Sequence, residues 1–331
     1  MKKKVQLLSA YSLDAMNFGP AWLQTNSRPL EGYELVDDSE LADFIIFVEA
    51  HPGWDPYYFQ VKAHQVYKRY KQKCILYHDA DRCVNRMRVI TPNIEKWQYE
   101  PKRHAASHFL ALQFENQFVD RIHEFDQTRR YLFSFDGSTR TNPLRKRLMS
   151  LDHPRSLLID RGQSRAWEMT SEEREQYQRD YVEGIAASQF ILCPAGVGSA
   201  SARLFETMCM GRPPVILSDQ WLPVGGLDWD TFSVIIKEAD VPRIGEILES
   251  REAEAEQMGQ LARKAWEANF SPEVSLQRLC EMAERLLQHP YRVSAYLWDN
   301  LQFFHPYHFR GLLRYYTKFR RSVPKIESTL S

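Results

Sequence analysis

The chain has no Cys-x-x-Cys pair, no long apolar run, no internal repeat and no excess of either charge. Each absence closes off a class of function. The five cysteines, Cys74, Cys83, Cys193, Cys209 and Cys280, are odd in number and lack metal-ligand spacing. They read as reduced, mostly buried thiols, not as a disulfide framework or a zinc site. No window approaches the ~18 apolar residues of a membrane-spanning helix. The start, Met1-Lys2-Lys3-Lys4-Val5-Gln6-Leu7-Leu8, turns polar at Ser9 and meets Asp14, too short a run for a signal-peptide core. A cytoplasmic protein is expected. Lys and Arg number 43, as do Asp and Glu, which removes the general electrostatic case for nucleic-acid binding.

What is present is an ordinary soluble composition, 44% hydrophobic and 26% charged over 331 residues, long enough for two domains. Apolar runs read as strands at Val5–Ala10, Asp43–Val48, Cys74–Tyr77, Tyr131–Phe135, Arg155–Asp160, Gln189–Pro194, Pro214–Ser218 and Phe232–Ile236. Helical stretches are expected over 57–70, 118–130, 171–188, 199–210 and 241–268. Near-continuous apolar strands alternating with helices predict an α/β protein with parallel sheets covered on both faces. The boundary falls near 125–130, giving units 1–128 and 129–285 and a tail, 286–331. In the tail Tyr296, Trp298, Phe303, Phe304, Tyr307, Phe309, Tyr315, Tyr316 and Phe319 alternate with Arg310, Arg314, Lys318, Arg320 and Arg321. Two readings fit: a helical tail packed back on the body, or a peripheral contact with the inner face of a membrane.

The stretch Ile191–Asp219 holds the most chemistry. A strand runs into Gly196-Val197-Gly198, a helix follows, and the next strand ends in Asp219. Backbone amides at such a helix start suit an anion. Gly-x-Gly followed about 20 residues later by an acid is the dinucleotide pattern, but its third position is Ser201 where that pattern has glycine. On a helix from residue 199, Ser199, Arg203 and Glu206 share one face, while Leu204, Phe205 and Met208 turn to the sheet. Hydroxyls and a guanidinium match phosphate oxygens, and a glutamate can accept both protons of a ribose diol. The competing reading is a surface Arg203–Glu206 ion pair without function.

The ordered blocks Tyr181-Val182-Glu183, Ser188 to Gly196, Ser199 to Glu206, Gly211 to Asp219, Leu222-Pro223 and Leu227 to Val234 resemble the core of exostosin-type glycosyltransferases. Phe133 to Ser138 and Pro143-Leu144-Arg145 resemble the opening of the same domain. The resemblance covers about residues 130–250 and is weak in the N-terminal third. The chain departs from the family pattern at Ala195, where arginine is common, and at Val224-Gly225-Gly226, where an aromatic is common.

The resemblance implies a GT-B architecture, two Rossmann-like domains facing across a cleft, with inverting transfer from a nucleotide-sugar to a glycan acceptor, a lipid-linked glycan among the candidates. UDP is the default nucleotide. The donor-side residues it points to are Gly196, Gly198, Ser199, Ser201, Arg203, Glu206 and Asp219, with Arg140 and Arg145 assisting at the leaving diphosphate. The base is expected in the first domain at a strand end, Asp79 first, then Glu49, with His78 and His51 alongside. No metal or other cofactor is implied. Three alternatives stand beside this: a catalytically silent GT-B-like binding protein, a transferase holding a divalent metal at Asp79 and Asp81, and a dinucleotide-dependent oxidoreductase.

Overall fold

The computed structural model describes residues 2–11, 19–49, 55, 57–82, 87–110, 116–162, 169–290 and 297. Cys83, His51 and the aromatic, basic segment beyond residue 290, Leu297 apart, lie outside them.

The first unit is a six-stranded sheet. Its elements are β1 (Lys3–Leu8), α1 (Gly19–Asn26), β2 (Tyr33–Leu35), β3 (Phe44–Glu49), α2 (Phe59–Ala63), α3 (Gln65–Tyr70), β4 (Cys74–His78), β5 (Val89–Thr91) and β6 (His104–Ala106). The order is β2-β1-β3-β4-β5-β6, and every pairing is parallel. The single helix expected over 57–70 is broken at His64, whose extended backbone ends α2 and whose imidazole caps α3. The expected helix 118–130 is a 3-10 segment, Val119–Glu124, interrupted at Arg121. β2, β5 and β6 have three residues each, too short for a periodicity to register.

The second unit comprises β7 (Tyr131–Gly137), α4 (Pro143–Leu148), β8 (Ser156–Asp160), α5 (Ser171–Ala186), β9 (Ser188–Pro194), α6 (Ala202–Cys209), β10 (Pro214–Leu217), β11 (Val234–Ile235), α7 (Ile244–Glu249) and α8 (Ala255–Asn269). Its sheet, also all parallel, is ordered β11-β10-β9-β7-β8. The two units are two Rossmann-like α/β domains, the pair that the resemblance implies. In each, the strand order reverses beside the first strand, between β1 and β3 and between β7 and β9. Open α/β sheets bind ligands outside the carboxyl ends of the strands at such a point.

The chain then crosses back. α9 (Pro272–Leu287) lies, but for its last two residues, in the segment 129–285 that the sequence assigns to the second unit. Its buried face, Leu276, Leu279, Cys280, Ala283 and Leu286, nevertheless packs with Val5, Ile46, Ile75 and Ile90 of the first sheet. Arg88 fixes the end of this helix by donating to the carbonyls of Leu286 and His289 at 3.3 and 2.6 Å. Among the described residues no helix is long and apolar enough to cross a membrane.

Candidate functional site

β7 carries Phe133 and Phe135 into the core of its own domain and ends at Asp136 and Gly137. Asn142 then caps α4, its side chain accepting from the Leu144 amide at 2.9 Å with Pro143 at the first turn. This short helix presents Arg145. Across the reversal point α5 begins at a Thr170–Glu173 capping box. Its Arg174, Tyr177, Gln178 and Tyr181 lie along one face and, with Asn116, Asp136, Arg145, Ser201, Ala202, Arg203 and Glu206, enclose a cleft of about 280 Å³.

α6 starts at Ala202, three residues later than the sequence suggests, because Ser201 is still extended. Leu204, Phe205 and Met208 are buried as expected, and Arg203 and Glu206 face the cleft. Arg203 Nη2 donates to the Asp136 carbonyl. Its guanidinium carbon stands 4.8 Å from the Phe135 ring centre and 5.7 Å from that of Tyr181, while Nε and Nη1 are buried without a hydrogen-bond partner. Burial opposes the charge on Arg203, but Tyr181, Cys193, Glu206 and Asp136 outweigh it and its pKa lies above the usual arginine value. Glu206 accepts from Tyr181 Oη at 2.7 Å. Burial raises its pKa, against the Tyr181 hydrogen bond and the charge of Arg203. Arg145 donates to the carbonyls of Ala195, Ser138 and Pro194 at 3.0, 3.2 and 3.3 Å. Burial, and then the charge of Arg203, lower its pKa to about 10. Asp136, by contrast, is neutralised by Arg161 at 2.8 and 2.7 Å. The cleft therefore holds two cations, Arg145 buried and Arg203 partly so, whose described hydrogen bonds run to carbonyls, beside the Glu206 carboxylate.

Other expected donor-side residues lie elsewhere. Ser199 is in the loop, not on α6, so it does not share the Arg203–Glu206 face, and its hydroxyl donates to the Ile94 carbonyl of the first domain at 3.3 Å. The Gly196 amide is bonded within the loop, to the Gly198 carbonyl at 3.1 Å. Gly198 abuts the first domain: a Cβ there would stand 2.3 Å from Asn93 Oδ1 and 2.7 Å from the Asp81 carbonyl. The loop is thus pressed against protein where the sequence places phosphate. Arg140 is exposed and donates to the Gly162 carbonyl at 3.2 Å. Asp219 exchanges bonds with Glu238, accepting from its amide at 3.0 Å, and does not line the cleft.

In the first domain Glu49 and His78 end β3 and β4 side by side. Glu49 is fully buried and accepts from Ser9 Oγ at 3.0 Å and from the Ala10 amide at 2.7 Å, so it ties the β1 and β3 ends together. His78 is equally buried, accepts from the Ala80 amide at 3.2 Å and stacks on Tyr58 at 4.8 Å. Asp79 follows and is partly exposed. Asp81 is close enough to Arg145 to support its charge, and its carbonyl abuts Gly198, so this loop faces the second domain. Sequence reasoning missed Tyr181, Arg174 and Tyr177, although their spacing along one helix face was available. It also missed Asn93, which no local pattern marks.

The sequence model of the Exostosin GT47 domain matches residues 43–251. An exostosin-1 homolog of Caenorhabditis elegans is 30% identical over 145 residues, 40% of this chain and 37% of that protein. A probable glucuronosyltransferase of Oryza sativa subsp. japonica is 39% identical over 77 residues, 23% of this chain and 18% of that one. The chain thus spans well under half of the length of these curated relatives. Among solved structures, a glycosyltransferase from Rickettsia africae ESF-5 superposes with a TM-score of 0.42 at 9% identity, over 87% of this chain and 99% of that one.

Proposed function

This chain belongs to the exostosin GT47 family, and from that premise we propose that it is an inverting glycosyltransferase moving a sugar from a nucleotide-sugar, UDP-linked by default, to a glycan acceptor. The observation that carries the reading is the pair Arg145, which is buried, and Arg203, whose Nε and Nη1 are buried, at the reversal point of the second sheet beside Glu206. Buried cations are costly unless something compensates them, and a diphosphate would. Ribose hydroxyls would donate to Glu206.

In the proposed reaction the acceptor oxygen attacks the anomeric carbon as the bond to the β-phosphate oxygen breaks on the opposite face. The acceptor proton passes to a base, and the leaving diphosphate takes the bonding pair. Preorganised cations act where that charge develops, the role given to Arg203 and, through its fixed guanidinium, Arg145. Asp79 is preferred as base: it is partly exposed in the loop after β4 that faces the second domain, whereas the buried Glu49 already accepts two bonds from the β1 end.

A thermal-shift screen against UDP, GDP and their sugars tests this, with UDP-glucuronate first in view of the rice relative's description. Ligand at 100 times its Kd adds about 2.7 kcal/mol to the native state. Stabilisation by UDP that Arg203→Ala removes supports the donor site. Binding without transfer to any glycan acceptor would leave a silent binding protein, and no stabilisation by any nucleotide would refute the reading.

A further inference from the structure

Between the two domains the Asn93 side chain bonds to a loop of each. Asn93, in the turn after β5, is 1% exposed. Its Nδ2 donates to the Ala80 carbonyl at 2.9 Å, in the loop that carries Asp79 and Asp81. Its Oδ1 accepts from the Ala200 amide at 3.1 Å, in the loop that leads into the helix of Arg203 and Glu206. The partners themselves fix the orientation of the amide, since a carbonyl needs a donor and an amide N–H an acceptor. The next residue repeats the contact, Ile94 O accepting from Ser199 Oγ. Gly198 lets the loops come this close, since any Cβ would overlap both Asn93 Oδ1 and the Asp81 carbonyl.

We propose that Asn93 is a positioning residue that sets the acceptor half of the cleft against the donor half, its carboxamide spanning the Ala80 and Ala200 loops. The proposal rests on the transferase reading above, because it assigns Asp79 to the acceptor and Arg203 to the leaving group. In-line displacement requires base, acceptor oxygen, anomeric carbon and departing phosphate in one register, and those groups sit on different domains. A planar group with a donor at one end and an acceptor at the other fixes the separation of the two loops. The proposed nucleotide contacts, Arg145, Arg203 and Glu206, all lie on the second domain and do not need that register. Hydrolysis of the donor by water needs no positioned acceptor and is also spared.

The test uses the full chain with two substitutions, Asn93→Asp and Asn93→Ala. The aspartate has the shape of asparagine and still accepts from Ala200, but it cannot donate to the Ala80 carbonyl. Both variants should bind UDP within about twofold of the parent, measured by calorimetry. Both should lose transfer relative to donor hydrolysis by at least about tenfold, since displacement on the ångström scale costs up to about 100-fold. A merely structural role would lower UDP binding, transfer and hydrolysis together. A transfer-to-hydrolysis ratio unchanged in the folded Asn93→Asp protein overturns the proposal. If the unaltered chain neither binds UDP nor transfers a sugar, the function fails separately, and solution scattering decides for Asn93. A larger radius of gyration in Asn93→Ala and in Gly198→Ala then supports its holding the domains, and parent values in both overturn it.

Discussion

Arg145 and Arg203 converge on one ring: their guanidinium carbons lie 5.8 and 4.8 Å from the centre of Phe135. Among their described hydrogen bonds, both cations are held by backbone carbonyls and not by carboxylates. The lowered pKa of Arg145 records burial first and the repulsion of Arg203 second. An anion arriving between them would relieve that repulsion as well as gain their attraction.

Replacing Arg203 by alanine is expected to cut transfer at least about 100-fold, the scale for removing a group that meets charge in the transition state. Arg203→Lys should recover little, because the single ammonium cannot both hold the Asp136 carbonyl and present the two nitrogens now without partners. The measurement is kcat with a matched thermal melt. Near-normal turnover in a folded Arg203→Ala protein would remove the residue from the mechanism.

Gly137 tests the same guanidinium from the other side. A Cβ at this position would stand 2.5 Å from Arg203 Nη2 and 3.3 Å from the Phe135 ring. Gly137→Ala should therefore push the arginine out of place and lower transfer by roughly tenfold or more, as misplacement of a catalytic group does. The melting temperature should fall far less than it does for a core truncation. Unchanged kcat would mean that the guanidinium works in more than one position.

Glu206 gives a pH signature. Its pKa lies above the usual glutamate value because burial penalises the charged form. Accepting both ribose protons needs the carboxylate, so donor affinity should be full above that raised pKa and fall as pH drops through it, at a higher pH than an ordinary glutamate would give. Glu206→Gln should flatten this dependence, and Glu206→Ala should weaken nucleotide binding by about 1.5–3 kcal/mol. Calorimetry across a pH series with UDP, set against a nucleotide lacking the ribose hydroxyls, reads both effects. A parent profile identical to that of Glu206→Gln would place the ribose elsewhere.

Chelation distinguishes the metal-dependent alternative. With two arginines at the proposed diphosphate site, transfer should persist in EDTA. Loss of activity on chelation and its return with manganese would move the donor to Asp79 and Asp81.

The long strands and the amphipathic α6 were legible because their patterns are local. Phe44–Glu49 is buried at every position, and Leu204, Phe205 and Met208 recur on one helix face. Arg203 and Glu206 were legible for the same reason, three residues apart on a helix. Ser199 was misplaced because the helix start is decided by the first domain: Asn93 and Ile94 hold residues 199 and 200 in a loop, and nothing within those residues shows it. Tyr181, which the sequence marks only as part of a family-like block, is not legible as a cleft residue because its partner is 25 positions away. The separations across the interface exceed 100 residues, beyond any periodicity.

α9 supplies the last prediction, since it shows how the two domains are made one. In sequence it follows α8 of the second domain, yet Leu279 is fully buried among residues of the first sheet. Polar contacts reinforce the docking: the Arg28 amide donates to the Glu273 carbonyl at 3.0 Å, and Tyr33 Oη donates to Glu284 at 2.6 Å. Leu279→Ala removes buried methyl groups and leaves a cavity under the helix, at a cost of roughly 2–5 kcal/mol. If α9 only capped the second domain, that loss would appear in the stability of the donor site. Packed as it is, the loss belongs to the first sheet, so UDP affinity at low temperature should stay near the parent value while the urea midpoint falls. Arg88→Ala, which frees the carbonyls of Leu286 and His289, should shift the midpoint in the same direction. A variant that keeps the parent midpoint but loses UDP affinity would assign α9 to the donor domain instead.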